Sequence, residues 1–386
     1  MGFREEARSW LEANCPESMR SPGYGTDGGR RAKLDPDTRL WLDRAAERGW
    51  TAPTWPKEYG GGGLNAEQHR ILIEEMRRLN ARAPLAGHGV SMIGPAILEF
   101  GTHEQCLEHL PKIATGAIKW CQGYSEPGAG SDLASLQTRA VEDGDDYVIN
   151  GSKIWTSGAD RADWIFALVR TDPNASKHEG ISFIVFDMES PGVTVTPIDL
   201  ISGSSDFCQT FFDDVRVPKR NLLDAPGNGW TVGKRLMQYE RSSLGGAGAA
   251  RQKITTVDEY AKTYVGLSDG KISDAIIRRD VLSLRMDERA YQLTLQRNAE
   301  EAATSKASGF LSSMFKLYGT EQNIRRQDLT VSIMGTRGLG WSGDGFEVAE
   351  LNATRGWLRS KANSIEGGSS EVMRNIIAKR VLGLPD

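Results

Sequence analysis

The stretch Ser125-Glu126-Pro127-Gly128-Ala129-Gly130-Ser131-Asp132 is where the reading of this chain turns. Gly128 and Gly130 free the backbone to approach a bulky ligand, and Ser125 and Ser131 offer hydroxyls beside it. Taken alone, the pattern describes an ordinary Gly/Ser loop as well as a binding loop. It does not run from a strand into a helix as a dinucleotide-binding G-x-G-x-x-G loop does, so nicotinamide binding is not supported. A second segment follows, Gly151-Ser152-Lys153-Ile154-Trp155-Thr156-Ser157-Gly158. It sets an indole and two hydroxyls on one short strand. That combination suits a flat heteroaromatic cofactor, and equally a core tryptophan of a β domain.

Outward from these segments the period of the sequence is two. Tyr147-Val148-Ile149-Asn150-Gly151 reads as a strand ending in an Asn-Gly turn, with Lys153-Ile154-Trp155-Thr156 starting the next, a hairpin signal. Further strands are expected at 164–170, 181–187, 193–197 and 208–212, which makes residues 119–225 a small sheet or barrel domain. Residues 1–118 read as helical. Phe3, Ala7, Trp10 and Leu11 recur at helical spacing, and Asp35-Pro36-Asp37 opens a second helix near Thr38. A third runs from about Asn65 to Asn80. Residues 226–386 are helical again, with helices expected at about 230–263, 274–307, 309–334, 344–359 and 370–381 and a turn over 335–340. Long helices with short loops imply an antiparallel bundle. The fold class is therefore α+β, mainly α.

Composition narrows the function. Lys and Arg total 47 against 51 Asp and Glu, a formal charge of −4, which argues against nucleic-acid binding. No apolar run approaches the roughly 18 residues of a membrane span. Residues 1–15 carry Glu5, Glu6 and Glu12 and no apolar h-region, so no targeting peptide is expected and the expected location is cytoplasmic. Cys15, Cys106, Cys121 and Cys208 form no C-x-x-C pair, and five scattered His residues show no ligand spacing, so no metal is expected. Glycine is abundant, 43 of 386 residues.

The two segments, in this order, resemble the flavin-binding middle domain of the acyl-CoA dehydrogenase family. More of the chain is similar. Gly49-Trp50 through Gly63 looks like the family's N-terminal loop, and Phe212-Asp213-Asp214-Val215-Arg216-Val217-Pro218 like the strand leaving the β domain. Ile333-Met334-Gly335-Thr336-Arg337-Gly338 resembles the turn that meets FAD of a neighbouring subunit, and Gly367-Gly368-Ser369-Ser370-Glu371-Val372-Met373-Arg374-Asn375-Ile376-Ile377 the C-terminal signature. The resemblance covers nearly the whole chain from about residue 35. It implies an N-terminal helical domain, a barrel-like middle β domain and a C-terminal four-helix bundle. It also implies an FAD enzyme that oxidises an acyl-CoA thioester to the 2,3-enoyl-CoA: a carboxylate removes the α-proton while the β-carbon delivers hydride to flavin N5.

Most members place the base directly before the Gly-Thr of the C-terminal signature. Counting back from Arg374, Ser369 matches the Thr and Gly368 the Gly, so Gly367 takes the place of the usual Glu and Glu366 falls one residue off. One residue in an extended loop turns a side chain to the other side. Isovaleryl-CoA dehydrogenase typifies a second solution, in which the Glu precedes an Arg on the first bundle helix. Tyr239-Glu240-Arg241 matches that place without gaps, so the resemblance assigns Glu240 as base, with Glu366 as the alternative.

The same resemblance matches Gln122, Ser125, Gly130, Trp155, Thr156, Ser157, Gly335, Ser369 and Glu371 to flavin contacts. It matches Ser131, Arg241 and Gly367 to the acyl-CoA. It implies electron-transfer flavoprotein as electron acceptor and a homotetramer or dimer. One departure stands out: Tyr260-Ala261-Lys262-Thr263-Tyr264-Val265-Gly266-Leu267 stands where members carry Arg-x-x-Phe-Gly, whose Arg meets FAD of the adjacent subunit. Some bacterial members that depart similarly pair with a second, related subunit, an α2β2 assembly. The alternatives are a non-catalytic FAD-binding subunit of a hetero-oligomer and a flavin oxidase or monooxygenase on the same fold.

Overall fold

The computed structural model describes residues 2–21, 23–245, 256–303 and 311–385; within these, the side chains of 239–245, 299, 302 and 303 are outside the description. Contacts divide the described residues into two units: those of 2–198 with 206–243, and those of 199–205 with 244–245 and 256–385.

In the first unit, five helices precede the sheet: α1 (Phe3–Asn14), α2 (Pro36–Glu47), α3 (Ala66–Arg78), α4 (Gly94–Phe100) and α5 (His103–Ala114). Their starts follow the local chemistry. The Asp35 carboxylate accepts from Thr38 N, with Pro36 in the first turn, and Asn65 and Thr102 cap α3 and α5 in the same way. Trp10, Trp41, Trp50, Leu11 and Leu72 pack the first three helices together. Buried Glu75 is held there by Arg8, Arg78 and Arg4, which keep its carboxyl down at about 2.

The sheet takes the strands β1 (Trp120–Gly123), β2 (Arg139–Asp143), β3 (Asp146–Ser157), β4 (Trp164–Arg170), β5 (Ile181–Asp187), β6 (Val193–Ile198), β7 (Phe207–Pro218) and β8 (Leu222–Leu223). Their order is β6-β7-β3-β2-β4-β5-β8, with β1 parallel to β4. One face packs on itself around Ile149, Ile165, Val169, Phe186 and Val215. The other packs Phe166, Leu168 and Phe183 against α4 and α5 through Ile97 and Leu110, and against Ile93 just before α4.

The sheet corrects one expectation. Asn150-Gly151 is not a hairpin turn: β3 runs through it as a single twelve-residue strand. The turn lies earlier, at Gly144 (φ +62°), between β2 and β3. Gly151 instead sits at φ +143° in a bulge opposite β7, pressed against Thr138, where a Cβ would lie 2.7 Å from Thr138 Oγ1. Only glycine meets both demands, so the residue that mimics a turn signal marks a close crossing.

After β8 comes α6 (Gly229–Gly245). Val232 and Leu236, one turn apart, are fully buried in the same apolar cluster as Tyr124, Phe183 and Leu168. The Trp230 ring stacks on His178 at 4.7 Å, fixing the start of the helix.

The second unit contains α7 (Val257–Tyr264), a two-stranded ribbon β9 (Leu267–Ser268) and β10 (Lys271–Ile272), α8 (Ala275–Ala303), α9 (Leu311–Met334), α10 (Val348–Ser360) and α11 (Ser370–Ile376). Its core joins Tyr260, Ala261, Val281, Leu284, Ile333 and Met334. The three-domain helical, β and helical-bundle fold is thus present. All four cysteines are free and buried. No helix among the described residues is long and apolar enough to cross a membrane.

Candidate active site

The two segments that opened the sequence reading meet in the first unit. Ile154 N donates to Ser125 O at 2.9 Å, which joins the loop after β1 to the end of β3. Ser125 is half-buried, as are Gln122 on β1 and Ser157 at the end of β3. Glu126 and Ala129 exchange two backbone hydrogen bonds of 3.0 Å, closing a tight turn around Pro127-Gly128. Nothing lies within 4 Å of a Cβ built on Gly128 or Gly130, so no packing in this unit requires glycine at either place. Ser131 and Asp132 are exposed, and the Asp132 carboxylate is paired with Lys177.

Trp155 is the unusual residue. Its φ is +60°, in the left-handed region that bulky side chains rarely adopt, and the pairing of β3 with β7 skips from Lys153 to Thr156 around it. The bulge throws the indole outward, 53% exposed, edge-on to Phe207 at 6.1 Å. Thr156 points the other way: fully buried, its Oγ1 lies 3.5 Å from that of Thr210, so the Thr156 hydroxyl is not on the surface that carries Trp155. An exposed, strained indole next to the backbone bond between Ile154 and Ser125 fits the planar ring system of a flavin.

Beneath this surface lies a pair that sequence reasoning missed. Lys153 is fully buried, and its Nζ donates to Glu126 Oε1 at 2.8 Å and Tyr124 O at 3.0 Å. The Glu126 carboxylate also accepts from Gln137 N at 2.6 Å and Thr138 N at 2.8 Å. Burial pushes the Lys153 amine down to about 8, opposed by the Glu126 charge. Burial alone would raise the Glu126 carboxyl; Lys153 and the two backbone donors leave it below its ordinary value. A signal was available: Lys153 sits on the inward row of a strand otherwise holding Tyr147 and Ile149, and a lysine there demands a buried acceptor.

In the second unit, Gly335 (φ +56°) begins a single 3-10 turn after α9 and is exposed. The turn is tied down through Arg337, whose Nε lies 2.7 Å from buried Glu350 Oε1, while Tyr264 donates to the same oxygen at 2.7 Å. Arg337 holds the Glu350 carboxyl down at about 2, and burial followed by Glu350 pushes the Tyr264 hydroxyl up to about 12. The segment that departs from the Arg-x-x-Phe-Gly pattern is therefore built into this unit: Tyr260 and Ala261 are buried in its core and Tyr264 anchors the Gly335 turn.

Glu366 is engaged within the same unit. Its Oε2 lies 2.8 Å from Arg359 Nη2, and Asn363 donates to its other oxygen. Gly367 (φ +64°) and Gly368 (φ +98°) are both left-handed. The bend they make is fastened by buried Lys316, which donates to Gly368 O at 2.6 Å and Asn363 O at 3.0 Å. Ser369 caps α11 by accepting from Val372 N, and Glu371 is exposed in its first turn. Glu240 and Arg241 lie on α6, but their side chains fall outside the described residues. Among the described residues no group of three or more His, Cys, Asp or Glu is arranged to hold a metal ion.

Comparison with known proteins gives three family models along the chain: acyl-CoA dehydrogenase N-terminal domain over residues 2–117, middle domain over 121–215 and C-terminal domain over 227–382. The acyl-CoA dehydrogenase IpdE1 of Mycobacterium tuberculosis is 35% identical over 387 residues, covering 99% of this chain and 97% of the relative. Among solved structures, the Tcur3481-Tcur3483 steroid ACAD matches with a TM-score of 0.77 and 32% identity, over 99% of this chain and 96% of that one. The ChsE4-ChsE5 complex from M. tuberculosis matches with a TM-score of 0.75 and 30% identity, over 100% and 97%.

Proposed function

The chain belongs to the acyl-CoA dehydrogenase family, and from that premise we propose that it is an FAD-dependent dehydrogenase of a bulky, steroid-derived acyl-CoA, with Glu240 as its base. The observation that carries the cofactor reading is the outward, left-handed Trp155 joined to Ser125 through the Ile154–Ser125 hydrogen bond. FAD, when bound, supplies the acceptor for the hydride that leaves the substrate β-carbon. Gln122, Ser125, Trp155 and Ser157 would hold its ring system. The resemblance matches Ser369 and Glu371 to the ribityl and diphosphate portion of FAD, and Ser131 and Arg241 to the acyl-CoA.

The chemical difficulty is the α-C–H of a thioester, a far weaker acid than the carboxyl group that must deprotonate it. Backbone donors aimed at the thioester oxygen stabilise the developing enolate, and one N–H of the 366–369 signature serves this end. The base must be an unengaged carboxylate within reach of the α-carbon. Glu366 is already committed to Arg359 and Asn363, and Gly367 has no side chain at the family's usual place. Glu240 stands on α6 one turn beyond Leu236, at the place the resemblance assigns to the base. The absent side chain at Gly367 leaves room for a branched or ring-bearing acyl group. Similarity to proteins named as a steroid ACAD and as the ChsE4-ChsE5 complex supports both the steroid-derived substrate and an α2β2 assembly with a related subunit. Electron-transfer flavoprotein is the proposed electron acceptor.

The test is purification of the chain alone and with a co-expressed relative, followed by anaerobic addition of straight-chain, branched and steroid-derived acyl-CoAs. Yellow protein whose flavin bleaches with a steroid-derived acyl-CoA supports the reading, and mass measurement reports the assembly. Yellow protein that no acyl-CoA bleaches would sink it.

A further inference from the structure

The loop that carries Ser125 is closed on itself by a charge. Its entry, Tyr124 and Glu126, and its exit, Gln137 and Thr138, all converge on Lys153 and its partner carboxylate. Thr138 Oγ1 adds a bond to Ser152 O at 3.2 Å, beside the crossing at Gly151. Two residues after Lys153 the strand breaks into the bulge that exposes Trp155. Replacing a buried ion pair by apolar side chains of similar volume is often neutral or stabilising, so stability alone is a weak reason for this one. What an apolar pair cannot do is bind Tyr124 O, Gln137 N and Thr138 N at a common point.

We propose that Lys153 and Glu126 are positioning residues that hold residues 124–138 and the Trp155 bulge in the geometry that receives the flavin, an inference that rests on the FAD reading above. Neither side chain touches the cofactor; both act through the backbone at 124–126 and 137–138. The apolar residues packed around them set no comparable constraint on that backbone, because dispersion contacts are non-directional. Arg170 on β4 also acts electrostatically on Lys153, and its guanidinium is bonded to Leu136 O and Ala134 O and so fastens the same loop further along.

The experiment measures three quantities: FAD affinity of flavin-stripped protein by fluorescence, melting temperature, and amide exchange over 124–138 without FAD. Lys153→Met is expected to weaken FAD binding by about tenfold or more, the loss of a charged hydrogen-bond hub. It is also expected to open the Gln137 and Thr138 amides to exchange. Lys153→Arg keeps the charge on a longer arm in a sealed site; it is expected to fold and still to bind FAD several-fold more weakly. The double variant Lys153→Met/Glu126→Gln removes both charges. It is expected to recover much of the melting temperature while FAD binding stays weak, which a merely structural pair would not do. FAD binding that recovers together with the melting temperature would overturn the proposal, as would a Lys153→Met protein that binds FAD like its parent. If the parent itself takes up no FAD, the cofactor reading falls. The exchange comparison then still decides the positioning role, and unchanged protection at 137 and 138 in Lys153→Met overturns it.

Discussion

The 124–138 loop in the β domain and the 366–369 bend in the helical bundle both carry residues that the sequence resemblance matches to FAD, and they are shaped in opposite ways. The loop hangs from a sealed sheet and owes its form to side chains, a buried carboxylate and amine binding backbone from both ends. The bend owes its form to the absence of side chains, two consecutive left-handed glycines. Each is fastened by a buried lysine, Lys153 in one and Lys316 in the other. Lys153 binds the Glu126 carboxylate and the Tyr124 carbonyl; Lys316 binds the carbonyls of Asn363 and Gly368. The first plan fixes a surface; the second keeps a backbone short and free of side chains. Removing side chains should therefore damage the loop, and adding them should damage the bend.

The largest effect tests what the bend gave up. With Gly367 in place of the usual base, Glu240→Gln is expected to lower kcat by about 10²- to 10⁴-fold, the ordinary contribution of a general base, with FAD still bound. Glu366→Gln is expected to lose little, since Glu366 is bound to Arg359 and Asn363. Single-turnover flavin reduction reads both. The reverse ranking would return the base to the bend and erase the contrast.

Next comes an added methyl group. A Cβ on Gly368 would lie 2.5 Å from Met373 Cε at a φ of +98°. Gly368→Ala is therefore expected to cost about 1–3 kcal/mol, mostly from backbone strain because a methionine tip can move aside. Urea denaturation measures the loss. A neutral result would mean the bend does not depend on glycine.

A smaller effect of opposite sign is expected in the sheet. Trp155 is strained at φ +60°, so Trp155→Gly should relieve roughly 1 kcal/mol of backbone strain, offset by the lost packing on Phe207. The melting temperature should stay level or rise slightly while FAD affinity falls. A variant that loses stability and keeps FAD would show that the indole serves the fold rather than the ligand.

Periodicity made the architecture legible: helices, then strands, then helices, with most boundaries within a few residues. Local chemistry at Asp35 and the continuous apolar runs of β4 and β5 are properties of neighbouring residues, and such signals survive in a sequence. The Asn150-Gly151 expectation failed because Gly151 answers to Thr138, a contact that nothing within a turn's length announces. The Lys153–Glu126 pair was missed for the same reason, its members being 27 positions apart and joined only by the loop's return to the strand. The departure at 260–267 was visible as a mismatch. Its physical content, Tyr264 bonded to Glu350 beneath the Gly335 turn, needed three dimensions.

That turn supplies the finest test, because it is a part of the bundle that does rely on a buried carboxylate. Arg337 and Tyr264 hold the Glu350 carboxyl at about 2, below its ordinary 4.5. A depressed folded value means the folded chain resists protonation, so the contribution of Glu350 is fully present above about pH 4.5. It is lost progressively as pH falls from there toward 2. Arg337 is partly solvated, which screens the pair and keeps the effect small. Melting temperature measured between pH 6 and pH 3 should therefore fall slightly less steeply in Glu350→Gln than in the parent, with the two curves converging toward the acid end. Parallel curves would mean that Glu350 is not what ties the Gly335 turn, and that glycine and packing shape this part of the bundle as they do the 366–369 bend.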